Sequence, residues 1–360
     1  MKKKLALLSI CFIFVLSVFA EGDFSFTFMP KNTLYPNYYA DQYSTDTTLG
    51  IIIMQDVHVN TDRVKVNSVK ASDGRYENVF LNTLMEEKWG EDNIFFQGRL
   101  GFNSSIMRFS YKDIIATEFQ AKSAFNTVFD AFGGTDLETF DGIVNFAVNV
   151  QLYDSIVLHA GLFHYSGHTG DETLENLTSY LSNIAEFDDD YVVTNQLDYC
   201  NDNLRTVGLS VTPFNGLRLF SELQWLPKEC AVGPKYICRN NQLSKSGHPQ
   251  TQTADYPDYY KGYISISGID YELKLSNDFA LYVGTILKLH QNGQVNTDYT
   301  YSPERSWEME KGATIGLKGI QSGGGASTNL YISYYDGRFP GTVYFNLRVK
   351  YVQVGVVIST

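Results

Sequence analysis

Residues 140–172 read FDGIVNFAVNVQLYDSIVLHAGLFHYSGHTGDE, and the fold class follows from their spacing. Val144, Phe146, Val148, Val150 and Leu152 alternate with Asn145, Ala147, Asn149 and Gln151. A period of two is the mark of a strand, because successive side chains point to opposite faces. A tight turn near Asp154 starts a second strand. Its even positions run Ile156, Leu158, Ala160, Leu162, His164, Ser166, His168, and its odd positions Val157, His159, Gly161, Phe163, Tyr165. Each strand is long enough to cross a bilayer and has one continuous apolar face, which is the pattern of a hairpin in a membrane barrel wall.

The same rhythm recurs along the chain. Phe96, Leu100 and Phe102 oppose Gln97 and Arg99, and Leu217, Leu219, Leu223 and Trp225 oppose Arg218, Glu222 and Gln224. Residues 118–130 fit either a helix or a strand, and the strand parity is preferred. The expected fold class is all-β: a single antiparallel transmembrane β-barrel of about 12 strands (10 to 14). A soluble β-sandwich is the rival, opposed by the strand length and the unbroken apolar faces. Long outer loops are expected at 167–203 and 226–260, with further polar loops at 56–92 and 291–305. Gly268 sits where apolar parity changes from Ile264 and Ile266 to Ile269 and Tyr271, which predicts a β-bulge. Arg218, Glu222, Asp270, Glu272, Lys274 and Arg348 are expected to line the lumen. In the closing strand Phe345, Leu347, Val349 and Tyr351 are expected to face lipid.

Residues 1–20 have the lysine-rich start, apolar run and small terminal residue of a secretory signal peptide, which leaves 21–360 as the barrel and implies export to a bacterial outer membrane. A formal net charge of −12 argues against nucleic acid, which needs a basic footprint. Aromatics make up 14% of the chain, as the interfacial girdles of a barrel require. The expected partners are outer-membrane lipid and the barrel-assembly machinery. Cys200, Cys230 and Cys238 follow the signal peptide, and their pairing is left open. No dinucleotide fingerprint, phosphate loop or zinc pair is present, so no cofactor or metal is expected. Asp188, Asp189 and Asp190 are a weak Ca²⁺ candidate without the spacing of a calcium loop.

The chemically capable cluster is His164, Ser166, His168, Gly170, Asp171 and Glu172. It resembles a His-x-Ser-Ser-His-x-Gly-Asp-Glu run that marks an uncharacterised family of bacterial outer-membrane proteins, with Gly167 in place of the second Ser. That resemblance implies a location and a fold. His164 and Ser166 also resemble the His-x-Ser pair that outer-membrane phospholipase A and the lipid A deacylases carry on a lipid-facing strand. This second resemblance implies Ser166 as nucleophile, His164 as base and a nearby Asn or Glu, for which Glu172 is the candidate. Three functions follow. The first is a non-enzymatic channel or surface structural protein. The second is a lipid-facing serine acyl hydrolase, and the third a surface adhesin or receptor acting through its loops.

Overall fold

The computed structural model describes residues 23–59, 75–76, 93–132, 137–169, 199–225, 243–244, 261–295, 301–320, 327–339 and 347–359. One 13-stranded antiparallel sheet dominates it. The short β1 (Phe24–Phe28) is followed by β2 (Thr47–Val59), β3 (Ile94–Tyr111), β4 (Ile115–Asp130), β5 (Leu137–Leu152), β6 (Ile156–Thr169) and β7 (Tyr199–Phe214). Then come β8 (Leu217–Trp225), β9 (Lys261–Lys274), β10 (Phe279–Val295), β11 (Tyr301–Gly319), β12 (Ser327–Arg338) and β13 (Leu347–Ser359). From β2 onward each strand pairs with the next, and β13 pairs back onto β2, so twelve strands close an up-and-down barrel without a free edge. Between the intervals 60–93 and 226–260, Arg75–Tyr76 pairs with Leu243–Ser244. No helix among the described residues is long and apolar enough to cross a membrane; this chain crosses with strands.

The outer surface is apolar on every strand pair. Leu49, Ile51, Phe96, Leu100, Phe146, Leu158, Leu162, Leu219, Leu287, Ile315 and Ile332 are all exposed there. A belt of this extent is stable only against hydrocarbon. The inner surface carries Glu118, Gln120, Lys122, Asn149, His159, Glu222, Asp270 and Glu310, all buried. Residues 118–130 lie within β4, with Phe119 and Phe125 outward and Glu118, Gln120 and Lys122 inward.

One stretch of the barrel wall is interrupted. β1 pairs with the end of β3, Phe28 opposite Met107. β2 pairs with its beginning, Thr48 opposite Arg99. Between them, residues 30–46 leave the wall and run through the lumen. Pro30 and Pro36 prevent a ladder here, and the segment is held by side chains from around the barrel. Leu34 N donates to Glu118 at 2.9 Å, and Gln120 Nε2 donates to the Tyr35 carbonyl at 2.8 Å. Tyr38 Oη donates to Glu222 at 2.8 Å, and Tyr39 Oη to Glu272 at 2.8 Å. Arg218 donates to the carbonyls of Pro36 and Asn37 and to Asp270. Lys288 Nζ pairs with Asp41 at 2.7 Å, Arg99 reaches Ser44 and the Gln42 carbonyl, and Tyr351 Oη donates to Gln42. Tyr38 stacks on Phe220 at 3.7 Å and Tyr35 on His159 at 4.3 Å. Burial, and then the Glu222 carboxylate, hold the Tyr38 hydroxyl well above its ordinary range, so it remains a donor.

This internal segment explains where the strand parities differ from expectation. No bulge forms at Gly268, because β9 pairs continuously from Ile264 to Lys274 with β10 and from Tyr263 to Tyr271 with β8. Ile266 faces inward and joins Tyr35, Tyr38 and Phe220 in an apolar cluster, with Ile264 packed against it. Gly268 instead makes room: a Cβ there would fall 2.4 Å from the Phe220 ring. In β13, Val349 and Tyr351 are buried rather than lipid-facing, the register shifts between Lys350 and Tyr351, and Tyr351 bonds to the segment. Phe345 lies outside the described residues. The polar strand ends are longer than expected. Residues 56–59, 167–169, 199–203, 291–295 and 301–305 are paired strand, not loop, because strands continue beyond the bilayer where polar side chains cost nothing.

Candidate functional site

β6 brings the candidate pair to the outer face. Val157 and His159 are buried inward, and Leu158 and Leu162 are exposed outward. His164 and Ser166 share the outward parity. β6 is aligned on one side with β5, which puts Val144 opposite His164 and Gly142 opposite Ser166. On the other side it is aligned with β7, which puts Asn203 opposite His164 and Asn201 opposite Ser166.

The cross-strand pair His164 and Asn203 is joined by a hydrogen bond of 2.9 Å between Nδ1 and Asn203 Oδ1. A carbonyl oxygen can only accept, so this contact places the imidazole proton on Nδ1 and leaves the Nε2 lone pair free. That is the state a general base needs, with its orienting partner on the far nitrogen. Both residues are half-buried. Ser166 Oγ leans over β5, 3.1 Å from where a Cβ on Gly142 would lie. No hydrogen bond joins Ser166 to His164 among the described residues.

The depth of the pair follows from strand geometry. Ser166 lies ten residues beyond Ile156, where β6 leaves the short turn. At about 3.4 Å per residue and a tilt of about 40°, that is roughly 25 Å along the barrel axis, about the height of the apolar band of such barrels. Short turns mark the periplasmic end, so Ser166 comes at the outer edge of the band, where a lipid's ester carbonyls lie.

Glu172, Gly170 and Asp171 lie outside the described residues. His168 is in β6 opposite Phe140 and Tyr199. Glu222 and Asp270 are buried inside, and Arg218 is largely covered and paired with Asp270. Glu272 pairs with Lys318 at 2.9 Å. Arg348 pairs with Asp336 at 2.7 Å. Lys274 is exposed at the end of β9. Asp188, Asp189, Asp190, Cys230 and Cys238 lie outside the described residues, and Cys200 has its backbone in β7. Among the described residues no three His, Cys, Asp or Glu side chains gather as a metal-holding group.

No protein-family model matches the sequence, and no curated protein matches it. Among solved structures, outer membrane phospholipase A from Escherichia coli is similar at 13% identity and a TM-score of 0.41, covering 88% of this chain and 92% of that one. LpxR from Salmonella typhimurium is similar at 7% identity and a TM-score of 0.32, covering 87% and 100%. The NanC porin is similar at 12% identity and a TM-score of 0.33, covering 73% and 99%. Structures named for a phospholipase and for a porin both occur at this level, so the chemistry is read from the residues.

Proposed function

We propose that this chain is an outer-membrane serine hydrolase that cleaves acyl esters of the lipids surrounding it. The observation that carries the reading is the 2.9 Å contact of His164 Nδ1 with Asn203, on the lipid side of the wall and one alternation from Ser166. His159 has a similar contact with Asn149 at 2.8 Å, but it faces the lumen and Thr206 takes its other nitrogen, whereas His164 faces lipid beside Ser166 with its other nitrogen available as a base.

The reaction runs through an acyl-enzyme. Ser166 Oγ attacks the ester carbonyl while His164 Nε2 takes its proton. The tetrahedral adduct collapses, breaks the carbonyl–oxygen bond and expels the alcohol, which leaves with the proton from His164. Water then attacks the acyl-serine with His164 again as base, which releases the fatty acid and restores Ser166. The sum is ester plus water to acid plus alcohol. Asn203 holds the ring and stays neutral throughout.

The lumen supports the same choice over a channel. Residues 30–46 occupy the passage a solute would take and are bonded to β3, β4, β8, β9, β10 and β13. The test is fatty-acid release from diacyl phosphatidylethanolamine in mixed micelles by the refolded full chain, beside Ser166→Ala and His164→Ala. Release by the native chain and loss in both variants is expected. No release by a chain whose folding is verified by heat-modifiable gel mobility would overturn the reading.

A further inference from the structure

We propose that Gly142, with the rings of Phe125 and Phe140, forms the lane that holds the scissile acyl chain and sets the chain length the enzyme accepts. This rests on the hydrolase reading above and identifies its substrate as a long-chain acyl ester taken from the plane of the membrane. Around the outer face at the level of the nucleophile, the aligned residues are Ser166 on β6, Gly142 on β5 and Phe125 on β4. Gly142 is the one of these without a side chain. A Cβ there would meet Ser166 Oγ at 3.1 Å, so the missing side chain is a notch that opens directly onto the nucleophile.

The far wall of the notch is built. The Phe125 ring leans along β5 onto Phe140, with centroids 5.7 Å apart and planes at 21°. Phe125 is 53% exposed and Phe140 37% exposed, so this pair stands out from the wall as a ridge. Toward the short-turn end, the same face continues as Val144 and then Phe146 opposite Leu162, the last two exposed. A lipid standing beside the barrel with its headgroup at the outer end thus has a path. Its ester carbonyl lies at Ser166, its first methylenes cross Gly142 against the aromatic ridge, and its chain descends along Val144 and Phe146 into the bilayer. A short ester needs only the carbonyl position. A long chain needs the whole lane.

The test compares Gly142→Leu and Phe125→Ala with the native chain on a short ester, p-nitrophenyl acetate, and on a diacyl phosphatidylcholine with long chains, in the same mixed micelles. A leucine fills the notch, so the ratio of kcat/KM for the long-chain lipid to that for the short ester is expected to fall at least about tenfold, which corresponds to about 1.4 kcal/mol of lane contacts. Phe125→Ala lowers the ridge without adding bulk beside Ser166, and is expected to shift the same ratio through KM. Ratios unchanged in both folded variants would overturn the lane. A phospholipid carrying a photoreactive group on its acyl chain separates this failure from that of the hydrolase reading. Cross-linking to β5 in Ser166→Ala, lost in Gly142→Leu, is expected even without turnover. Turnover with ratios and cross-links indifferent to Gly142 would retain the hydrolase and discard the lane.

Discussion

Replacing Asn203 by Ala removes one hydrogen bond from the proposed catalytic face. That bond is 2.9 Å long and joins two neutral, half-buried side chains. An unsatisfied donor of this kind costs about 1–3 kcal/mol, and at 1.36 kcal/mol per tenfold the loss in kcat is about 5- to 160-fold. Losing an ionised orienting carboxylate would cost more, because charged hydrogen bonds are roughly twice as strong. KM should hold, since Asn203 is on the opposite side of β6 from the lane at Gly142. The assay is fatty-acid release under saturating phospholipid, with Asn203→Asp as the rescue. Asp restores an acceptor at the same place and should recover most of the rate, with the pH–rate profile shifted because a negative charge favours the imidazolium. A merely structural role predicts lowered stability and no rescue. A kcat for folded Asn203→Ala indistinguishable from the native value would refute the reasoning.

Three further outcomes test the wall and its internal segment. The ends of β1 and β2 meet β3 eight residues apart, at Met107 and Arg99, so an extended linker of about eight Gly and Ser residues can replace the intervening segment. Planar-bilayer recordings should show a silent native barrel and stepwise conductance in the replaced form; a conducting native chain would contradict the account. Gly268→Ala puts a Cβ 2.1 Å from the Thr285 carbonyl and 2.4 Å from the Phe220 ring, and overpacking of this kind costs about 1–3 kcal/mol. The temperature at which heat-modifiable gel mobility is lost should fall, and an unchanged value would sink the close-approach explanation. Tyr38 is held protonated in the folded chain, whereas an unfolded phenol ionises near pH about 10. Its contribution is therefore complete below that pH and declines above it. Unfolding midpoints should drop on the alkaline side, and drop less in Tyr38→Phe; the same alkaline drop in both would contradict it.

Most of the wall was legible because its rule is local. Alternation assigns each residue to a face without knowledge of its neighbours, and Phe146, Leu162, Leu219 and Leu287 lie where that rule sends them. Gly142 was within reach too. The turn centres on Asp154, so positions twelve residues to either side face each other, and these are Gly142 and Ser166. Asn203 was not. Residues 170–198 separate β6 from β7, and a connection of that length does not reveal the register from sequence. The run Tyr199-Cys200-Asn201-Asp202-Asn203 reads as polar loop rather than strand. Glu172, the candidate orienting acid in the sequence, lies outside the described residues. The parities of Ile264, Ile266, Val349 and Tyr351 misled for a different reason. Inward apolar residues make no sense in a water-filled lumen, but they do against Tyr38 and Gln42 of a segment that folds into it.

The most direct measurement is covalent labelling of the refolded full chain with a fluorophosphonate, followed by peptide mass mapping. The account predicts a single adduct on Ser166, strongly reduced in His164→Ala and partly reduced in Asn203→Ala, all in barrels that retain heat-modifiable mobility. A folded native chain that takes no label, or takes it on another serine with Ser166 untouched, would contradict the claim that the outer face of β6 is an active site.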